Sequence, residues 1–386
     1  MEDCRWFHAK AHIINQSCNL QCKYLLLKRP LVYALIALLA LLAVEILRVY
    51  FIMPFPGSQR ANTIEQAYFI NKYIWSLRIL GFMMLIPFAW RILNKKEFWK
   101  KALLVFFLMV YSAVFYLVNF RFLAEKMFLQ PVNKKLATVE ENKVDSSKLV
   151  IGITINGQAR AYPIEIIGYH HLVPDTVGGQ PVLVTYCSVC RTGRVYSSIL
   201  NGKLLHFQLV GMDHFNAFFE DEDTKSWWRQ ATGVAAVGKL KGTALNELFS
   251  RQSRLGAWIR ENPNTLILQP DSLFAKQYKA LEGFDQGTIK SGLEKRDSSS
   301  WKYKSWVLGV LLEGQARAYD WNELVKSRVI NDTIQNIPIV IELEKDGVSF
   351  HVWKSQGNNH IPVPAYQEFW HSWQYFHPGT SVYKRN

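Results

Sequence analysis

Val150-Ile-Gly-Ile-Thr-Ile-Asn-Gly-Gln-Ala-Arg-Ala-Tyr162 returns further along the chain as Val307-Leu-Gly-Val-Leu-Leu-Glu-Gly-Gln-Ala-Arg-Ala-Tyr319, without a gap. The register holds beyond it: Asp175-Thr176 answers to Asp332-Thr333, and Pro181-Val-Leu-Val184 to Pro338-Ile-Val-Ile341. Later, Trp258 and Pro263-Asn-Thr265 match Trp373 and Pro378-Gly-Thr380, with less chain between the matches in the second copy. Self-similarity of this kind marks repeated structural units. It predicts one complete unit over 148–282 and a second, shortened one over 301–386. Residues 283–300, rich in Gly, Ser and charge, read as the linker between them.

Each unit reads as β-rich. Lys148–Ile155 alternates apolar and polar residues and ends at Asn156-Gly157, a strong short hairpin signal. Gln158–Tyr162 returns as the second strand, and Pro163–Ile167 reads as one helical turn. Val182–Tyr186 is a buried strand, and Arg194–Ile199 with Lys203–Leu209 form a hairpin across Asn201-Gly202. Leu245–Arg260 and Ala365–Trp373 are expected to be helical. The soluble part is thus an α+β domain dominated by strands, with a partial internal duplication.

What precedes it is of another kind. Three apolar runs, Leu31–Met53, Tyr73–Leu93 and Ala102–Phe120, are each long enough to span a bilayer, which takes about 20 residues of helix. Residues 30–121 therefore read as an all-α transmembrane region, because lipid leaves backbone polar groups no partner outside a helix. The first run is too long for a cleaved signal peptide, and no small-residue cleavage site follows it. Residues 1–29 form a basic segment expected in the cytoplasm, since it and the Arg91–Lys101 loop are rich in Lys and Arg. The first interhelical loop holds only Arg60 and Lys72. Three crossings then make the chain an integral protein of the inner or plasma membrane and place the soluble domain outside the cytoplasm. Arg121, Lys126, Lys134 and Lys135 pull against that orientation. Within the spans, Glu45 and Arg78 can pair between helices, while Arg48 is close enough to a helix end to snorkel.

The formal charge of +14 follows the same division. Arg5, Lys10, Lys23, Lys28 and Arg29 precede the first span, and Arg91, Lys95, Lys96, Lys100 and Lys101 separate the second from the third. Basic flanks of this kind meet lipid headgroups. No nucleic-acid motif accompanies them, so the bilayer is the expected partner and nucleic acid is not. The sequence names no protein or small-molecule partner.

Chemistry centres on cysteine, of which the chain has five. Cys4, Cys18 and Cys22 precede the first span, which leaves Cys187 and Cys190 alone in the outer domain. Three readings of this pair stand side by side. Two thiolates make half of a tetrahedral metal site, with His170, His206 and His214 as candidate further ligands and copper or zinc as candidate ions. Arg191 and Arg194 would favour a thiolate for disulfide exchange, although no helix starts after the pair as such sites prefer. A structural disulfide suits an oxidising compartment but closes a tiny loop, and it would leave a non-catalytic binding or scaffold module. Haem attachment is excluded, since Arg191 stands where the motif needs His. Asp213, His214 and Asn216 offer weaker acid–base groups.

Tyr186-Cys-Ser-Val-Cys190-Arg-Thr192, preceded by His170, Asp175 and Gly178-Gly179 and followed by Thr224-Lys-Ser226-Trp-Trp228-Arg-Gln230, resembles the family of domain of unknown function 3179. That family's pattern runs His, Asp, a Gly-Gly turn, Tyr-Cys-Pro-x-Cys-x-Thr, then Thr-Gly-Ser-x-Trp-x-Gln. Ser188, Pro174 and Lys225 depart from it, as does Met212-Asp-His-Phe-Asn216. The resemblance implies a shared domain and marks Asp175, Tyr186, Thr192, Ser226, Trp228 and Gln230 as further candidate site residues. It implies no activity.

Overall fold

The computed structural model describes residues 29–356 and 359–384. Residues 1–28, and with them Cys4, Cys18 and Cys22, lie outside the described residues. The chain divides into two compact units: Met1–Phe51 with Glu65–Leu123, and Ile52–Ile64 with Ala124–Asn386.

Helices build the first unit: α1 (Pro30–Tyr50), α2 (Ile64–Lys72), α3 (Ile74–Leu93) and α4 (Phe98–Leu117), the last extended by a π turn at Val118–Phe122. Three of them are long and apolar enough to cross a membrane, Pro30–Tyr50, Ile74–Leu93 and Phe98–Phe122. Pro30 opens α1, where its missing N–H costs nothing. Ala34, Ala37, Leu38 and Leu41 bury one face of α1. Gly81 on α3 lets Leu41 in, since a Cβ there would lie 2.5 Å from Leu41 Cδ2. Glu45 and Arg78 pair, both buried, with Nε–Oε1 at 2.6 Å and Nη2–Oε2 at 2.8 Å. Asn119 bridges them, accepting from Arg78 at 2.8 Å and donating to Glu45 at 3.2 Å. Arg48 joins the network by donating to Asn119 at 2.6 Å.

The second unit is β-rich. Leu149–Ile155 and Gln158–Pro163 form the expected hairpin over Asn156-Gly157, both at positive φ. The first of these strands pairs antiparallel with Arg251–Arg254, and the second runs parallel to Leu266–Leu268. Trp306–Leu312 and Gln315–Asp320 repeat this arrangement, with Ala365–Phe369 antiparallel on one side and Ser381–Val382 parallel on the other. A seven-residue helix follows each hairpin, Ile164–His170 and Trp321–Ser327, and then an antiparallel meander. The meander of the first half is Leu172–Val177, Gln180–Cys187 and Thr192–Ser197. Among the described residues, only the first half carries the further sheet of Phe207–Asp213, Asn216–Asp221, Trp227–Arg229 and Ala235–Val237.

The two halves agree in detail. Trp258 lies on Gly152, where a Cβ would approach within 2.4 Å of its ring, and Trp373 lies on Gly309, where the figure is 2.2 Å. Trp258 Nε1 donates to Thr265 and Trp373 Nε1 to Thr380, both at 2.9 Å. Tyr162 donates to Asp175 and Tyr319 to Asp332, both at 2.7 Å.

Some sequence expectations need correction. Leu245–Arg260 is not one helix: Arg251–Arg254 is a strand, and only Leu255–Glu261 is helical. Ala365–Trp373 likewise splits into the strand Ala365–Phe369 and the helix Trp370–Phe376. In both places edge pairing with a neighbouring hairpin overrides local propensity. The Asn201-Gly202 turn joins only Ile199–Leu200 to Lys203–Leu204, because Thr192–Ser197 pairs with Gln180–Cys187 instead. Residues 283–300 hold no helix or strand, yet Phe284 and Ile289 are buried in the hydrophobic core of the first half.

Candidate functional site

Cys187 ends its strand and Cys190 closes the tight turn that leads into Thr192–Ser197, with Arg191 at a positive φ of 56°. Both thiols are free, and they are 1 % and 0 % exposed. The disulfide weighed from the sequence is thus not formed here. Cys187 Sγ lies 3.4 Å from the Phe215 carbonyl oxygen, to which its S–H donates.

His371 reaches the pair from the second half of the domain. Its Nε2 is 3.8 Å from Cys190 Sγ, and its Nδ1 is 3.1 Å from the Tyr303 carbonyl. A carbonyl only accepts, so the proton sits on Nδ1 and Nε2 turns its lone pair to the sulfur. Burial, then the charge of Lys304, lowers this imidazole to about 3, so it is neutral at physiological pH. The Tyr303 ring stacks on it at 4.3 Å.

Lys304 supplies the charge at the site. Its Nζ donates to the Val189 carbonyl at 2.5 Å and lies 4.6 Å from the Phe369 ring centroid. Burial lowers its pKa, and the two sulfurs pull it back up. Burial disfavours a charged Cys187, but hydrogen bonds from Cys190 and the Ala217 N–H, with the charge of Lys304, hold this thiol below its ordinary value. Cys190 is pushed well above it, by burial and then by Cys187. Cys187 is thus the more acidic thiol of the pair. Arg191 and Arg194, which the sequence offered for this role, point elsewhere. Arg191 donates to Gln367 at 2.8 Å and to the Phe284 carbonyl at 3.0 Å, and Arg194 pairs with Glu368 at 2.5 Å.

A strained turn flanks the thiols. His214 and Phe215 both have positive φ, 52° and 67°, in a two-residue hairpin turn that Asn-Gly would fill without cost. His214 Nδ1 is bound to Asp213 at 2.7 Å, and Asp213 accepts from Arg229 at 2.8 Å. The imidazole of His214 stacks on Tyr375 at 3.8 Å.

The remaining sequence candidates fall into place around this centre. Thr192 Oγ1 donates to the Cys190 carbonyl at 3.3 Å and lies 3.4 Å from Ser372 Oγ. Gln230 braces the strands that carry the pair, donating to Thr185 at 3.0 Å and to the Thr192 carbonyl at 2.9 Å. Tyr186 is fully buried, and its carbonyl accepts from His171 at 2.8 Å. Ser226 shares a turn with Thr224 at 2.7 Å, and Trp228 donates to Asp221 at 2.9 Å, so both shape the second sheet. Asp175 serves the Tyr162 pair.

The histidines proposed as ligands do not converge on the sulfurs. His170 has both nitrogens engaged, by the Leu129 carbonyl at 2.5 Å and the Tyr278 hydroxyl at 2.7 Å. His206 is exposed and lines a cleft with Asp175 and Lys134. His214 is committed to Asp213. Sequence reasoning missed His371, Lys304 and Tyr303. The signal was a difference between the matching stretches: His371 stands where the first half has Gly256, two residues before the matching tryptophan.

Elsewhere among the described residues, Glu261, Glu344 and His351 bring donor atoms within 4.8 Å of one another. Arg251 and Arg260 already meet these carboxylates at 2.6 and 2.8 Å. A cation there would face two guanidinium groups.

The fold and site define a β-rich domain with a buried dithiol, carried by a chain with three helices apolar enough to cross a membrane. The chain belongs to the family described as "Protein of unknown function (DUF3179)", which matches residues 130–380. No curated protein and no solved structure matches it.

Proposed function

We propose that this chain is a membrane-anchored protein whose β-rich domain holds a soft metal ion at Cys187, Cys190 and His371. The observation that carries the reading is the placement of His371, with Nδ1 3.1 Å from the Tyr303 carbonyl and Nε2 3.8 Å from Cys190 Sγ. A neutral imidazole whose Nδ1–H is tied to a carbonyl while Nε2 faces a sulfur is the arrangement metal-binding histidines adopt. Donors at about 2.3 Å (S) and about 2.1 Å (N) from one ion stand about 3.8 Å apart in trigonal geometry, which the Cys190–His371 distance matches. The three donors form a chain through Cys190 rather than a group within 4.8 Å, so an ion would draw Cys187 inward.

Charge chooses between the ions. Two thiolates with copper(I) carry one negative charge, which the Lys304 ammonium offsets in a dry site. The same ligands with zinc(II) would leave Lys304 uncompensated, which burial disfavours. Thiolates also suit the softer ion. Disulfide exchange fits less well, because an attacking thiol must reach a sulfur and neither sulfur is exposed.

The domain is read as extracytoplasmic, in the inner or plasma membrane, on the distribution of basic flanks. The loop Ile52–Ile64 packs with Ala124–Asn386. Three crossings agree with this, since they put that loop and the domain on one side. The shared strand order and the paired Trp–Thr and Tyr–Asp bonds support descent of the two halves from one duplicated unit.

The test is metal content of the full chain in detergent, loaded with copper(I) or zinc(II) under reducing conditions. A Cys187→Ser/Cys190→Ser double variant and His371→Ala accompany it, and free thiols are counted in each sample. One copper per chain, lost in both variants, is the expected result. No metal in a folded protein with Cys187 and Cys190 both free would sink the reading and leave a binding or scaffold module.

A further inference from the structure

The loop between α1 and α2 belongs to the β-rich unit, and it is anchored there at several points. The Ile52 carbonyl accepts from the Met212 N–H at 2.9 Å. Gly211 makes room for it, because a Cβ there would lie 2.4 Å from Ile52 O. At the other end, Asn62 accepts from the Tyr375 hydroxyl at 3.0 Å.

Between these anchors sits Gln59, 4 % exposed. Its Nε2 donates to the Met53 carbonyl at 3.3 Å and to Ser58 Oγ at 3.4 Å. Those bonds fix the amide orientation, so Oε1 is the atom that accepts the Phe215 N–H, at 3.2 Å. Phe215 is the residue held at φ 67°, and its carbonyl is the one that receives the Cys187 S–H. A bulky residue at such a φ persists only where its surroundings over-determine it. Gln59 is one of those surroundings.

We infer that Gln59 is a positioning residue for Cys187, holding the strained Phe215 peptide so that the loop between the first two apolar helices sets the geometry of the dithiol. The inference rests on the Cys187–Cys190 pair being the working site, but not on the identity of any metal. Gln59→Leu removes the acceptor while keeping size and burial. The Phe215 N–H then lacks its partner, and the peptide can leave its strained conformation.

The experiment uses the full chain in detergent. It measures the rate and pH profile of Cys187 alkylation by N-ethylmaleimide, with the labelled cysteine located by peptide fragmentation, and copper(I) affinity by chelator competition. Gln59→Leu should speed labelling by about fivefold or more, the scale of one buried hydrogen bond, and should displace the pH midpoint. Asn62→Ala loosens the loop without touching Phe215 and should leave the profile as in the parent chain. Gly211→Ala pushes the Ile52 backbone from the other side and should move the profile as Gln59→Leu does, which keeps the test alive if Gln59→Leu does not fold. An unchanged profile in both folded Gln59→Leu and Gly211→Ala would overturn the inference, as would an equal shift in Asn62→Ala. Failure to bind copper with the profile still shifted would remove the metal reading and leave the positioning role standing.

Discussion

His371 turns its unprotonated Nε2 toward the Cys190 sulfur, 3.8 Å away, from a position 181 residues further along the chain. The Phe369 N–H donates to the Cys190 carbonyl at 3.0 Å, so main chain and side chain meet at the same point. The site is therefore shared: the first half supplies both thiols, and the second supplies the imidazole and Lys304.

Arg194 is another buried link between the halves. Its guanidinium pairs with Glu368 at 2.5 Å, lies 3.4 Å from the Tyr366 ring centroid, and is fully buried. Arg194→Met strands the Glu368 carboxylate in a dry site and should cost about 3–5 kcal/mol. Adding Glu368→Gln should recover much of that loss. Chemical denaturation of both variants at pH 7.5 checks this, and an additive double variant would contradict it.

The tryptophan–glycine contacts should be equally intolerant in the two halves. Gly152→Ala and Gly309→Ala each force an indole off the strand it covers. Each should lower stability by about 1–3 kcal/mol, as overpacking does. Thermal unfolding should show similar shifts for the two. A neutral Gly309→Ala would mean that the second half packs more loosely than its contacts imply.

The Glu45–Arg78 pair predicts a coupled effect in the helical unit. Arg78→Met leaves Glu45, 0 % exposed, without its bidentate partner. Breaking such a pair from one side is strongly destabilising, by about 3–5 kcal/mol in buried sites. Arg78→Met with Glu45→Met should be milder than Arg78→Met alone. Resistance of the detergent-solubilised chain to thermal aggregation ranks the three.

Acid should weaken the β-rich unit below neutrality. Burial lowers His171 to about 4, against the hydrogen bond to the Tyr186 carbonyl, and burial also lowers His377 to about 4. Unfolded, both take up a proton near 6.5. Between 6.5 and 4 the unfolded chain thus binds more protons, and stability falls as pH drops through that window. Each histidine contributes at most about 1.4 kcal/mol per pH unit there, and nothing above it. Urea midpoints at pH 7.5 and 5.0 measure the fall, and His171→Gln should flatten the slope if it folds.

Much of the fold was legible in local pattern. The Asn156-Gly157 turn needed only nearby residues, and the recurrence at Val307–Tyr319 needed only comparison along the chain, whereas the alternation expected of Lys148–Ile155 gives way to burial of both faces over Leu149–Ile153. The second strand partner of each hairpin did not declare itself. Arg251–Arg254 is a strand because Leu149–Gly152 offers it an edge, which no window of sequence around Arg251 records. The site divides the same way. Cys187 and Cys190 announce themselves by type and spacing. Their nearest histidine follows from folding two distant segments together, while His170, close in sequence, is consumed by Leu129 and Tyr278.

The packing of Ile52–Ile64 into the β-rich unit also sets an order of events in biosynthesis. That loop leaves the ribosome with the first apolar helix, before any strand of the domain exists. The later strands then close around a segment that is already tethered, so its capture is intramolecular, governed by effective concentration rather than chance encounter. Nascent domain that emerges without its loop beside it would be left with the Met212 and Phe215 amides unsatisfied. Correct placement of the loop that joins the first two apolar helices is in this sense a folding instruction for the domain made last.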